Sequence, residues 1–248
     1  MRSVIEANDL GIWFHANRRR RMKIRDMVLR RHTPVPKGQF WALRDVSFSV
    51  GEGEAVGLVG ANGGGKSTLL KLIAGVLIPD EGSVVVNGGV APLIEVTGGF
   101  VGDLTARDNI SLTAGLHGLS KRQINEKFDE IVEFAEVGEF LDMPFRHFSS
   151  GMKVRLGFSV VTSLDEPIVL VDEVLAVGDR AFREKCYARM EAMLSGGKTL
   201  FLVSHSEGDL RRFCTRGLFL SGGGLVADGT VDEALALYND ELDNRGKH

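Results

Sequence analysis

The sequence predicts an α/β fold with a strand-rich layer near its start. Three observations carry that prediction. Short apolar runs ending in glycine or acids, EAVGLVG at 54–60 and PIVLVDE at 167–173, have the length of buried strands. Helical segments alternate with them, which implies a largely parallel sheet. The first 90 residues are dominated by strand-like patterns instead.

Taken in order, VIEANDLGIW reads as a first strand, and a basic segment follows it. There Met22, Arg25 and Leu29 share one face at helical spacing, so a short, imperfect amphipathic helix is expected. The run TPVPKG at 33–38 breaks it. Residues 40–50, FWALRDVSFSV, alternate apolar and polar positions as a strand does, and Gly51-Glu52-Gly53 turns into the strand 54–60. A helix opens in ANGGGKSTLLKLIAG, with Leu69, Leu70, Leu72 and Ile73 as its buried positions. After a turn at 79–82 comes the strand SVVVNGG, then a mostly helical stretch over 106–143. Strands at 167–173 and 198–206, helices at 180–194 and 207–213, a glycine-turned hairpin and a last helix complete the chain.

Composition bounds the function. The 248 residues suffice for one large domain with a buried core. Two cysteines, Cys186 and Cys214, and no signal peptide point to a reducing cytosol, where both thiols act as small inert apolar groups. No apolar run approaches the ~18 residues a membrane span needs, so any membrane role is peripheral or works through a partner. The formal charge is −3. Between Arg18 and Arg31 seven arginines and one lysine face only Asp26, a local +7 that leaves −10 for the rest. An acidic body with one basic patch argues against general nucleic-acid coating.

The strongest motif is Gly60-Ala61-Asn62-Gly63-Gly64-Gly65-Lys66-Ser67-Thr68, which fits G-x-x-x-x-G-K-[ST] between a strand and a helix. Glycines let backbone N–H groups curl around phosphate oxygens, and the helix start adds partial positive charge. Lys66 would reach the β- and γ-phosphates of ATP, and Ser67 would offer a hydroxyl to Mg²⁺. The second motif is Ile168-Val169-Leu170-Val171 followed by Asp172 and Glu173. A buried strand delivers both acids to its carboxyl end, where Asp172 would hold Mg²⁺ and Glu173 would polarise the attacking water. A third, Phe148-Ser149-Ser150-Gly151-Met152, opens a helix and is another possible anion site.

In that position the third motif resembles the signature of ABC ATPases, commonly L-S-G-G-Q. Ser149 and Gly151 match, while Ser150 replaces the first glycine and Met152 the glutamine. Further elements follow in the family's order: Gly178-Asp179 where the D-loop should stand, and His205 in LVSHS as the switch histidine. The resemblance runs from about residue 40 to 230. It implies an ABC-type P-loop ATPase fold: a mixed RecA-like core, an N-terminal antiparallel β layer and a helical subdomain over about 100–160. On that reading 1–248 is a single nucleotide-binding domain, with a basic insert at about 14–38, a terminal helix at 230–248 and no C-terminal carbohydrate-binding domain.

The variants FSSGMKVRLGFSV, DEVLAVGD and FWALRDVSF, with the basic insert, are similar to the ATPase subunits of polysaccharide ABC exporters, which move O-antigen, teichoic acid, capsule or galactan chains. Two departures stand out. The loop glutamine of the family is absent from LIEVTGGF, where Glu95 is either its substitute or an ordinary loop acid. The aromatic that stacks on adenine is displaced by the insert; Phe14 and Trp13 are candidates, with a core or hairpin role equally open.

The resemblance further implies a head-to-tail homodimer. Each ATP would be held by the phosphate loop of one copy and the Ser149–Gly151 helix start of the other, with Glu173 and His205 serving hydrolysis and Asp179 signalling across the interface. A separate transmembrane permease, in two copies, would dock near residues 93–110 on the cytoplasmic side and carry the lipid-linked glycan. Export of another amphiphile (a lipid or drug), a soluble ABC ATPase acting on nucleic acid or ribosomes, and a metabolic P-loop kinase are the alternatives. The last leaves His205 and the Ser149 helix start unexplained. For the basic segment three readings stand: a solvated arm, an amphipathic helix meeting anionic headgroups or a lipid-linked pyrophosphate, or a nucleic-acid contact.

Overall fold

The computed structural model describes residues 2–15, 38–94, 98–172 and 179–245. The expected amphipathic helix around Met22 to Leu29, the basic run from Arg18 to Arg31, and Glu95, Glu173 and Gly178 lie outside the described residues.

Two sheets form the body. A three-stranded antiparallel sheet has β1 (Ser3–His15) between β2 (Gln39–Gly51) and β4 (Glu81–Val86). The main sheet has six strands in the order β5 (Val90–Leu93), β6 (Ile168–Asp172), β7 (Thr199–Val203), β3 (Ala55–Val59), β8 (Arg216–Ser221) and β9 (Gly224–Thr230). Its first five strands run parallel, and β9 returns antiparallel to β8.

Strand alternation divides the core. Val56, Leu58, Ile168, Leu170, Phe201 and Val203 point toward the small sheet and α1 (Lys66–Ile73). Val59, Val169, Val171, Leu200 and Leu202 point to the opposite face, packed against α4 (Ser150–Thr162), α5 (Arg180–Ser195), α6 (Glu207–Phe213) and α7 (Val231–Arg245). The central strands are thus buried on both faces, which is why they read as continuous apolar runs. Phe48 of β2 and Phe201 of β7 meet at 5.8 Å between ring centroids and join the sheets.

A third core lies in a helical layer of α2 (Ala106–Leu116), α3 (Lys121–Ala135) and the first turns of α4. Ile110, Ile131, Phe145, Phe148 and Leu156 fill it. Thr105 caps α2 by accepting from the Asp108 N–H, and Ser120 with Gln123 forms a capping box on α3. The helical expectation over 106–143 holds through Ala135; beyond it come short 3-10 turns at Gly138–Phe140 and Phe145–His147.

Candidate nucleotide-binding site

The carboxyl ends of the parallel strands define the site. Leu93 pairs with Val171, Asp172 with Val203, and Val203 with Leu58, so four strands end at one level. The phosphate loop follows β3, Asp172 closes β6, and His205 follows β7, all on that edge.

The loop is built for close backbone approach. A Cβ on Gly60 would meet the Leu220 carbonyl oxygen at 2.3 Å. Gly65 sits at φ +101, where a Cβ would meet Leu43 Cδ2 at 2.5 Å and Ala42 O at 2.7 Å. Glycine alone fits both positions without displacing backbone. Asn62 and Gly63 are exposed at the outer bend, and Gly64 donates to Ala61 O at 3.0 Å. Lys66 is only 6% exposed, and its Nζ donates to Gly60 O at 2.7 Å and Ala61 O at 3.2 Å. The ammonium therefore lies inside the bend of the loop. Ser67 is exposed beside it and Thr68 is half-buried. Gly65, at the N-cap of α1, has no side chain to cap the helix, so first-turn N–H groups remain for an anion.

These residues fit a polyphosphate: a glycine cradle, a buried ammonium and a helix start. They also fit Mg²⁺ held in company with phosphates. Among the described residues no group of three or more His, Cys, Asp or Glu side chains gathers around one point. The Ser67 hydroxyl and the Asp172 carboxylate, completed by phosphate oxygens, would make the mixed oxygen set that suits Mg²⁺.

His205 is exposed, in a turn rather than in the strand expected over 198–206. β7 ends at Val203 because the next residues turn back on their own side chains. The Ser206 N–H donates to Ser204 Oγ at 3.0 Å, and Ser206 caps α6 by accepting from the Asp209 N–H at 3.2 Å. Sequence reading passed over this knit, although Ser206-Glu207-Gly208-Asp209 is an S-x-x-D cap pattern.

The Ser149 motif stands apart from the phosphate loop, at the start of α4 in the helical layer. Ser149 caps its own helix, Oγ accepting from the Met152 N–H at 3.2 Å. Ser149 and Ser150 are exposed, Gly151 and Met152 partly so. One chain thus presents the phosphate loop and the Ser149 helix start from different layers. Asp179 caps α5, Oδ1 accepting from the Phe182 N–H at 2.9 Å. That bond, and the Arg155 guanidinium beside it, hold its carboxyl below the usual carboxylate range.

The two aromatic candidates differ. Trp13 is half-buried, its backbone N–H donating to Asp80 Oδ2 and its indole set edge-on to His15 at 5.1 Å. Phe14 is exposed and packs on Phe40 of β2 at 6.2 Å. Two residues beyond Phe40, Ala42 lies against Gly65, so Phe40 sits on the strand that borders the loop and Phe14 opposite it on β1.

Beyond Ile94 the described chain resumes at Gly98. Asn109 of α2, fully buried, fixes the segment that follows: its Oδ1 accepts from the Val101 N–H at 2.7 Å, and its Nδ2 donates to Val101 O and Thr105 O.

Comparison with known proteins bears on the family and the fold. The family model described as ABC transporter matches residues 43–176. An O-antigen export system ATP-binding protein of Klebsiella pneumoniae is 42% identical over 222 residues, 88% of this chain and 90% of that protein. A teichoic acids export ATP-binding protein of Listeria monocytogenes is 41% identical over 210 residues, 83% of this chain and 62% of its own length. Among solved structures, the ATP-binding subunit of an ABC transporter superposes with a TM-score of 0.76 at 24% identity, over 99% of this chain and 100% of that one. A dimeric ATP-binding cassette in a post-hydrolysis state with ADP and Pi gives 0.73 at 19% identity, over 92% and 98%.

Proposed function

The chain belongs to the ABC transporter family of ATPases, and on that premise we propose that it powers export of a lipid-linked polysaccharide across the cytoplasmic membrane. The observation that carries the substrate class is the near full-length match to an O-antigen export ATPase, supported by the teichoic acid relative. Among the described residues no helix is long and apolar enough to cross a membrane. On this reading a separate permease carries the polymer.

The cycle follows from the residues. The loop from Gly60 to Gly65 and the first N–H groups of α1 hold the β- and γ-phosphates of ATP, and the Lys66 ammonium offsets their charge. Phe14, exposed beside the strand that borders the loop, stacks on adenine, with Trp13 as the alternative. Ser67 and Asp172 hold Mg²⁺, which when bound with the nucleotide neutralises charge on the phosphoryl oxygens. Glu173, next to Asp172, accepts a proton from the attacking water, and His205 orients the γ-phosphate. Two copies pair head to tail, so that the exposed Ser149, Ser150 and Gly151 of one meet the γ-phosphate held by the other; Met152 follows in the same turn. Hydrolysis removes that bridge and opens the dimer. Gly178 and Asp179 would signal across the interface, and Glu95 would take the role of the family's loop glutamine. Two permease copies dock near residues 93–110, where Asn109 stiffens the loop.

The test is Glu173→Gln in the purified chain. It should keep ATP binding, lower hydrolysis by orders of magnitude, and accumulate an ATP-dependent dimer on size exclusion. Unchanged turnover would sink the assignment.

A further inference from the structure

We propose that Arg155 is a positioning residue that locks the helix carrying the Ser149 turn to the start of α5, and so links the two nucleotide sites of a dimer. This rests on the head-to-tail reading above. Arg155 lies in α4, and its side chain is 20% exposed. The guanidinium donates in two directions, Nη1 to Glu136 Oε2 and Nη2 to Asp179 Oδ2. It also lies over the Phe182 ring, 4.9 Å from the centroid. Three contacts, one from the end of α3 and two from the start of α5, fix one planar fork.

Each anchor is itself constrained. Glu136 ends α3 in the left-handed region at φ +57, and its other oxygen accepts from Lys185 of α5. Asp179 caps α5 with Oδ1 alone, which leaves Oδ2 for Arg155. Capping does not require the arginine. Nor does the stability of a partly exposed ion pair explain three convergent partners, since such pairs contribute little. The arrangement specifies geometry. α4 begins at the turn that would serve the partner's ATP, whereas α5 follows directly on the segment that continues from Asp172 and serves this chain's own ATP. Arg155 is a rigid connection between the two.

The fold supplies a matched control. Arg189 of α5 lies over the Phe134 ring at 4.8 Å, pairs with Glu130 of α3, and is 24% exposed. These contacts brace α5 against α3 without involving α4.

The experiment measures steady-state ATP hydrolysis and thermal unfolding of the full chain for Arg155→Gln, Arg155→Lys, Asp179→Asn, Arg155→Gln with Asp179→Asn, and Arg189→Gln. Asparagine keeps the cap and removes the charge. Because small misplacements of reacting groups are costly, Arg155→Gln and Asp179→Asn should each lower kcat about tenfold, with KM for ATP within about twofold. The double variant should be no slower than either single one, and Arg155→Lys should recover part of the loss. Arg189→Gln should lower Tm about as much as Arg155→Gln while turnover stays at the wild-type level. Wild-type kcat in Arg155→Gln, losses that multiply in the double variant, or an equal kcat loss in Arg189→Gln would each overturn the proposal. A wild-type chain that turns over no ATP would instead bring down the functional reading, and this inference with it.

Discussion

The Tyr187 hydroxyl donates to Asp209 Oδ1 at 2.6 Å and ties α5 to α6, four residues beyond His205. Asp209 is buried, and its backbone N–H is already committed to Ser206, so this bond holds the base of the histidine turn. Burial first, and then the Asp209 bond, push the Tyr187 phenol from 10.0 up to about 12. A raised phenol favours the neutral form in the folded chain. Its contribution is whole below pH 10 and lost as pH rises through 12. Tyr187→Phe should therefore cost about 1.5 kcal/mol, lower Tm by roughly 3–6 °C, and flatten the loss of stability between pH 10 and 12. Thermal melts across that range check all three.

Gly65→Ala should abolish the fit of the phosphate loop. The new methyl meets Ala42 O and Leu43 at φ +101, and a left-handed alanine alone costs roughly 1–2 kcal/mol. Affinity for a fluorescent ATP analogue should fall at least about tenfold. Gly63→Ala, at φ +80 with open space around it, should lose less. Equal losses would mean that backbone strain, not the contact with β2, sets the requirement.

Cys186 and Cys214 are both buried, and burial pushes each thiol up to about 12. Neither forms a thiolate at neutral pH, so neither should react with iodoacetamide in the native chain. Both should label once the chain is unfolded, and mass spectrometry reads the difference.

Replacing Arg18, Arg19, Arg20 and Arg21 with glutamine tests the peripheral-contact reading of the basic segment. At about 1 kcal/mol per cation near an anionic surface, binding to vesicles containing phosphatidylglycerol should weaken by roughly three orders of magnitude. Vesicle co-sedimentation that is indifferent to the four substitutions would leave the segment a solvated arm.

Much of the site was legible in the sequence because its parts are local. The phosphate loop is one contiguous motif, and β6 is a run of four apolar residues closed by an acid. β5 gave no such signal. It has four residues and contains Pro92, tolerable because β5 is the edge of the main sheet and the missing N–H breaks no inner ladder. The strand expected through Ser206 stopped at Val203, since serine side chains competed for the backbone. The contacts of Arg155 join residues 19 and 24 positions apart, and no periodicity announces them. Asp179 was legible as a motif residue, but its bond to its own chain's α4 was not.

β1 and β2 are register partners down to His15 and Gln39, whose side chains also meet at 3.2 Å. The points of the small sheet between which the sequence 16–37 is inserted are therefore adjacent, about 5 Å apart. In connectivity that sequence is an appendage to the hairpin of β1 and β2. Swapping it for a two-residue turn would relieve about 2 kcal/mol of loop-closure entropy and ask nothing of the strands on either side. Length and charge in that appendage are thus free variables of the molecule: they can be redrawn for a different surface while the ATP-driven engine beneath keeps every register it has.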